Sequence, residues 1–212
     1  MYALVTDGSI TKHLSGNRGL TIGGIQYPQD IFSKWTESQR NAIGIYEVIQ
    51  NDAKKKDEEY YINTNQTFTY DADAGTVTAT YGDATAKAHA DTKWTQSEID
   101  AGKAPAGADT DTVAVEGLKT IKIRSVKLQA AGILKDTDWY IVRKADAGTA
   151  VPSAITTYRA AVRTKCAEME TAITNASNTP AIETLYTYVN TADEGDPVVL
   201  ERPLGEFPVL GS

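Results

Sequence analysis

Short alternations of apolar and polar residues dominate the first part of the chain, which is the pattern of half-buried β-strands. The alternation is clearest in residues 67–70 and 77–81, and the polar segment 71–75 between them predicts the turn of a hairpin. Asp7-Gly8 and Gly23-Gly24 each separate two further short apolar runs and predict two more hairpins. These patterns together predict a small antiparallel β-rich domain.

Helical periodicity replaces this alternation in the second half. A long amphipathic helix over residues 151–176 is predicted by apolar residues three and four positions apart: Ile155, Tyr158, Val162, Cys166, Met169 and Ile173. An earlier helix is predicted to carry one apolar face with Leu118, Ile121, Ser125, Leu128 and Gly132, which is widened by Ile123, Val126 and Ala130. We expect the two apolar faces to pack together as a helical hairpin. Trp139-Tyr140, at the junction of two helices, is interpreted as a core plug rather than a ligand platform.

Composition divides the chain into four parts. Residues 82–115 consist mostly of small and polar residues and predict a linker, in which Trp94 is the one large aromatic residue. The predicted order is a β-rich domain (1–81), this linker, a helical domain (116–190) and an extended, proline-containing tail (191–212). The predicted fold class is therefore α+β.

The proline-containing tail is predicted to be a docking segment, because its prolines prevent a helix while its apolar pairs gain nothing from exposure. The candidate interaction residues are Pro197, Val198, Val199, Leu200, Pro208, Val209 and Leu210. A segment that serves only for docking is not needed for folding. Removal of residues 197–212 is therefore expected to leave the isolated protein folded.

Charge and composition exclude several classes of partner. The formal charge is −7 and no block of Lys and Arg is present, which argues against nucleic acid. No apolar run approaches the roughly 20 residues of a membrane-spanning helix, and no signal peptide is evident at the start. Cys166 is the only cysteine and is expected to be a buried thiol. We therefore expect synthesis in the cytoplasm and no membrane partner.

The residues that catalysis requires are missing from the sequence. His13 and His89 lie far apart in polar surroundings and are interpreted as surface histidines. The chain has no glycine-rich phosphate loop followed by Lys, no serine nucleophile elbow and no paired cysteines for zinc. Asp71 and Asp73 fit a hairpin turn better than a calcium loop. The prediction is that the protein is not an enzyme and has no catalytic residue, metal or cofactor.

A resemblance to a known family rests mainly on the helical half. There a Thr-Asp-Trp turn is followed by an Arg and then by a helix that carries Tyr-Arg. The residues concerned are 134–144, 151–153 and 158–163, with Thr137-Asp138-Trp139, Arg143 and Tyr158-Arg159 as the pattern. This stretch resembles the C-terminal helical region shared by tail assembly chaperones and tail-fibre-associated proteins of tailed bacteriophages. Residues 27–35, with Arg40, Gly44-Ile45 and Glu47-Val48, resemble the small β domain that often precedes it.

The resemblance covers roughly half of the chain and implies a function through protein–protein contacts. A virion component of the tail, such as a baseplate protein or fibre adaptor, is the first hypothesis, and a transient assembly chaperone absent from the mature particle is the alternative. A tail enzyme that degrades polysaccharide is disfavoured, because its paired carboxylates across a cleft are not evident. The implied partners are other phage tail proteins, with a homo-oligomer inside a symmetric assembly as a further expectation. The implied location is the virion tail, assembled in the cytoplasm of the bacterial host.

Overall fold

The computed structural model describes residues 1–211, which divide into two compact units. The first runs from Met1 to Thr85 and the second begins at Ala86. The first is built mainly of strands, and the second contains the long helices. The structure therefore confirms the predicted α+β class.

The first unit is organised around a five-stranded sheet with the order β2-β1-β5-β8-β7. The strands of the unit are β1 (Tyr2–Thr6), β2 (Ser9–Leu14), β3 (Leu20–Ile22), β4 (Ile25–Tyr27), β5 (Ile45–Asn51), β6 (Tyr61–Ile62), β7 (Thr67–Asp71) and β8 (Thr76–Thr80). Two short helices, α1 (Ile31–Lys34) and α2 (Glu37–Asn41), precede β5, and β9 (Thr85–Ala86) lies where the two units divide. The sheet carries the core of the unit.

The three predicted hairpins are confirmed as β1–β2, β3–β4 and β7–β8. In the first, Asp7 and Gly8 both have positive φ angles, 51° and 72°, as a tight two-residue hairpin turn requires. One pairing differs from a purely antiparallel sheet, since β5 and β8 run parallel. Val77 and Ala79 of β8 are fully buried, whereas β7 has no buried residue, so β8 occupies the sheet interior and β7 its edge.

Alternation along β1 supplies two separate apolar clusters. Ala3 and Val5 pack with Val77 and other buried residues in one cluster. Tyr2 and Leu4, which point the other way in a strand, pack against a second cluster that contains Ile31. The sheet therefore has apolar contacts on both faces.

Among the described residues, five helices and several short strands form the second unit. Its elements are β10 (Thr92–Lys93), α3 (Gln96–Asp100), β11 (Val113–Val115), α4 (Leu118–Lys135), α5 (Asp138–Ala147), α6 (Ser153–Asn175), α7 (Thr179–Tyr186), β12 (Val189–Asn190) and β13 (Leu200–Glu201). The predicted long helix corresponds to α6. Val162, Met169 and Ile173 of its apolar stripe are almost completely buried, as the periodicity predicted.

The segment predicted as a linker differs from that prediction, because residues 86–115 belong to the second unit. Their polar groups cap α4. The carboxylate of Asp91 accepts hydrogen bonds from the Gly117 N–H at 2.7 Å and from the Thr120 hydroxyl at 2.9 Å, while Ala88 O accepts from the Leu118 N–H at 3.0 Å. The composition suggests a linker because this segment contributes hydrogen bonds rather than large apolar side chains.

The face of α4 that packs inward is only partly the predicted one. Ile121 and Leu128 are 44% and 67% exposed, and the buried residues are Leu118, Lys122, Val126 and Ala130. The charge of Lys122 made this stripe look polar. Its aliphatic stem is buried and its Nζ lies 4.2 Å from the centre of the Tyr186 ring, so a lysine occupies a core-facing position. The helical hairpin itself is present, because Val126 packs with Met169 and Ile173.

The predicted extended tail is not free along its whole length, because part of it packs on the second unit. Leu200 and Glu201 pair with Asn190 and Val189, and Leu204 is buried in the cluster that contains Val126 and Met169. The Leu204 N–H also donates to Leu185 O at 3.0 Å. The expectation that residues 197–212 are dispensable for folding is therefore wrong, since their removal would open the core of the second unit.

Candidate interaction site

A buried arginine fixes the corner between α4 and α5. Arg159 lies on α6, and its side chain is 9% exposed. Its Nη1 donates to Leu134 O at 2.7 Å and to Thr137 Oγ1 at 2.6 Å, and its Nη2 lies 2.9 Å from a carboxylate oxygen of Asp138. One guanidinium therefore holds the end of α4, the connecting residue and the start of α5, with the fork geometry that lysine lacks.

Helix α5 leaves this corner without burying any of its residues. Trp139 is 51% exposed, Val142 is 65% exposed and Ile141 is also exposed. We call these three residues the α5 face. The interpretation of Trp139-Tyr140 as a core plug is therefore wrong for Trp139, because half of its surface is exposed.

The aromatic side chains of α5 are nevertheless held in place. The ring centres of Trp139 and Tyr140 lie 3.9 Å apart. The guanidinium carbon of Arg143 lies 4.6 Å from the Trp139 ring and 5.5 Å from the Tyr140 ring. Stacking of Arg on aromatic rings restricts their rotation, so the exposed indole has limited freedom to lose when a partner covers it.

A second set of exposed apolar side chains lies in the C-terminal segment. We call it the tail patch, and its members are Val198, Val199, Leu200, Val209 and Leu210. Of the other two predicted interaction residues, Pro197 is exposed and Pro208 is partly buried beside α6. The structure does not show the seven predicted residues as one cluster, because residues 202–208 between the two apolar runs are held against the helices.

The anchoring of residues 202–208 explains why the tail patch has a defined position. Leu204 is buried and Phe207 packs against the same cluster. Arg202 pairs with Glu206, and its guanidinium carbon lies 5.3 Å from the Tyr188 ring. The Tyr188 hydroxyl donates to Glu206, and this bond raises the pKa of Tyr188. The two apolar runs therefore extend from a fixed support.

The residues that carry the N-terminal resemblance also gather around a buried arginine. Arg40 donates to Trp35 O, and its guanidinium carbon lies 5.4 Å from the Tyr2 ring. Trp35 contacts Tyr27 edge-on, with ring centres 5.9 Å apart. In each unit, an arginine therefore connects residues of the resembling segments through hydrogen bonds to backbone oxygen atoms.

Within the described residues 1–211, the histidines, the cysteine and the loop aspartates that were considered for catalysis or metal binding are not brought together. His13 is exposed and lies against Phe68, with ring centres 4.2 Å apart, and His89 is partly buried. Cys166 is half-buried, and burial raises the pKa of its thiol. Asp109 accepts hydrogen bonds from Thr112 and from a backbone amide within its own loop.

Within residues 1–211, no group of three or more His, Cys, Asp and Glu side chains has an arrangement that could hold a metal ion. Of the helices in this described part, none is long and apolar enough to cross a membrane.

Comparisons with known proteins give no match: neither a family model, nor a curated protein, nor a solved structure matches the chain.

Sequence reasoning missed the α5 face, although a signal for it was present. Residues 139–142 are four consecutive apolar or aromatic residues, Trp139-Tyr140-Ile141-Val142. Successive helix residues are about 100° apart, so four in a row cover most of the helix circumference and cannot all point to one core. The sequence therefore already indicated that part of this helix faces away from its own domain.

Proposed function

We propose that this chain is a non-enzymatic tail protein of a tailed bacteriophage that acts by binding other tail proteins. Its contact surfaces are the α5 face and the tail patch. It is proposed to remain in the virion as a baseplate or fibre-adaptor component. The phage origin rests on the resemblance of the Thr-Asp-Trp, Arg and Tyr-Arg pattern, and the contact surfaces rest on the structure.

The observation that carries this proposal is a helix that is fixed but unburied. Arg159 holds the corner from which α5 starts through three contacts, one of them to α5 itself, yet none of the residues of α5 is buried. A helix with exposed Trp139, Ile141 and Val142 gains little from packing on its own domain. A partner that covers these side chains would gain the free energy of burying them, about 25 cal/mol for each Å² of apolar surface.

The residue types on α5 also favour a protein partner. Trp, Tyr and Arg are the residues that most often dominate binding energy at protein interfaces. Here Trp139, Tyr140 and Arg143 are stacked on one another at the protein surface. Preorganisation of this kind lowers the conformational entropy that binding has to overcome.

The tail patch supports a second contact surface. Val198 and Val209 are about 70% exposed, and single exposed valines are ordinary on protein surfaces. Five exposed aliphatic residues on a segment held by Leu204 and Arg202 are a more specific arrangement. Two surfaces of this kind suit a protein that connects two neighbours.

The test uses purified particles of the phage that encodes the chain. Immunoblotting with an antibody against the chain is expected to detect it in particles purified through a density gradient, at a constant ratio to another tail protein. A transient chaperone would instead be found in the infected-cell lysate and be missing from the particles. Absence from both the particles and every tail-protein complex of the lysate would contradict the proposal.

A variant with altered surface residues tests the tail patch, because a deletion would also remove Leu204 from the core. Val198→Ser with Leu200→Ser is expected to leave thermal unfolding close to that of the wild type, since both side chains are exposed. The same variant is expected to enter particles poorly. Normal incorporation of this variant into particles would show that the tail patch is not a contact surface.

A further inference from the structure

A cleft in the first unit has a chemical character unlike that of the rest of the protein. Its volume is about 540 Å³, and it lies beside the loop that connects β2 to β3. Three residues of types that can carry positive charge are in its lining, namely Lys12, His13 and Arg18. We call it the N-terminal cleft. Its lining contains no Asp or Glu, although the whole chain has a formal charge of −7.

Two of the three basic residues of this cleft, Lys12 and Arg18, are not engaged by the rest of the described chain, whereas His13 packs on Phe68. Among the described residues 1–211, neither Lys12 nor Arg18 forms an ion pair or side-chain hydrogen bond with the protein. This contrasts with Lys34, Lys54, Lys55 and Lys93 elsewhere, each of which pairs with a nearby carboxylate. Cations gathered around one cleft without counter-charges produce a positive local potential.

The loop itself adds further hydrogen-bond donors. Gly16, Arg18 and Gly19 line the cleft, and within the described part of the chain their backbone N–H groups donate to no protein acceptor. Gly16 has a positive φ of 74°, and an added Cβ would lie 2.9 Å from the Tyr2 ring. Glycine is therefore required for the path of this loop. Unpaired amides next to Arg and Lys are a common arrangement for binding oxyanions.

The remaining lining residues indicate what else the ligand carries. Phe32 provides an aromatic surface and Thr21 a hydroxyl group. The volume lies in the range of small-molecule sites and would hold on the order of ten to twenty water molecules, far more than a free inorganic ion needs. The occupant that fits is an anionic group attached to a body about the size of a monosaccharide.

We propose that the N-terminal cleft binds a small organic oxyanion, with Arg18 and Lys12 holding its carboxylate or phosphate group. Arg presents a planar fork that matches the two oxygen atoms of either group, and Lys adds a point charge. The ring or chain of the ligand lies against Phe32. This site is separate from the α5 face and the tail patch, and it does not depend on the function proposed for them.

Isothermal titration of the full chain tests this, with glucuronate, glucose 6-phosphate, glucose and inorganic phosphate as probes at about physiological ionic strength. Saturable binding of glucuronate or glucose 6-phosphate is expected, with a Kd of about 1 mM or lower, and glucose is expected not to bind. Binding of glucuronate alone assigns a carboxylate ligand, and binding of glucose 6-phosphate alone assigns a phosphate ligand.

Variants of the basic lining residues test whether the ligand binds in the cleft. Arg18→Gln and Lys12→Gln are each expected to weaken binding by at least about tenfold. Both side chains are exposed, so these variants are expected to keep the unfolding temperature of the wild type. Lys144→Gln, which removes an equal charge from the second unit, is expected to bind like the wild type.

Three results would overturn the proposal. The first is no saturable binding of either anionic sugar up to about 10 mM, roughly ten times the expected Kd. The second is glucose binding as tightly as the anionic sugars, or the anionic sugars binding to Arg18→Gln and Lys12→Gln as tightly as to the wild type. Either result would show that the cations do not contribute. The third is a loss in Lys144→Gln as large as in Arg18→Gln, which would show an effect of net charge alone.

Discussion

Arg159 donates a 2.6 Å hydrogen bond to the hydroxyl of Thr137, and this hydroxyl in turn donates a hydrogen bond to Leu134 O at 2.9 Å. The two residues lie in different parts of the resembling segment. Their contact, with the ion pair between Arg159 and Asp138, determines how α5 leaves the end of α4. The position of the α5 face therefore depends on a single buried guanidinium.

Replacement of Arg159 by Gln should destabilise the second unit by roughly 2–3 kcal/mol, because Leu134 O and Thr137 Oγ1 lose their charged donor. Thermal unfolding followed by circular dichroism measures this loss. Arg163→Gln is the matched control, since Arg163 is exposed and makes only one long hydrogen bond of 3.4 Å. Equal unfolding temperatures for the two variants would show that Arg159 does not hold the corner.

Asp91→Ala should destabilise the second unit by about 1 kcal/mol at neutral pH, the usual loss for a helix cap. Hydrogen bonds from the Gly117 N–H and then from the Thr120 hydroxyl lower the pKa of Asp91 in the folded state. A lowered folded pKa means that the stabilisation is present above the ordinary carboxyl pKa of about 4 and is lost as the pH falls through the folded pKa.

Urea unfolding of wild type and Asp91→Ala at a series of pH values checks the direction of this pH dependence. The difference in unfolding free energy should be constant from about pH 7 to pH 5 and should shrink below about pH 4. Asp193→Ala, at an exposed position, is the control and should show little difference at any pH. A difference that grows as the pH falls would contradict the assignment of Asp91 as a charged cap.

Two substitutions on α4 distinguish its buried and exposed faces. Val126→Asp places an unpaired charge beside Met169 and Ile173 and should destabilise by about 3 kcal/mol or more. Leu128→Asp should change stability by less than about 1 kcal/mol, because Leu128 is 67% exposed. Thermal unfolding of both variants measures the two losses of stability. A larger loss for Leu128→Asp than for Val126→Asp would contradict the observed orientation of α4.

Local patterns predicted much of the fold. The hairpins at Asp7-Gly8 and Gly23-Gly24 and the apolar stripe of α6 depend on residues close together in sequence, and all three are present. The parallel pairing of β5 with β8 was not predictable in this way. The choice between β7 and β8 as the neighbour of β5 depends on which strand is buried from both sides, which is a property of the whole sheet.

The candidate site was predicted less well, for two physical reasons. Lys122 lies in the buried stripe of α4 because its long stem is apolar and its charge meets an aromatic ring. A charged residue in the sequence pattern is normally taken as exposed, so the buried face of α4 was only partly predicted. Leu204 and Phe207 resemble the exposed apolar residues next to them, yet they reach the helical core. Whether an apolar residue of a tail packs on its own domain or on a partner depends on tertiary contacts that spacing does not encode.

The central claim, that the protein functions through the α5 face, is tested by the double variant Trp139→Ser with Val142→Ser, introduced into the phage that is proposed to encode the chain. Both side chains are more than half exposed, so the purified variant should unfold at the wild-type temperature. The yield of infectious particles should fall at least about tenfold, as expected when interface residues of this kind are lost. Lys144→Ser on the same helix should give the wild-type yield. A normal yield from a correctly folded double variant would contradict the account.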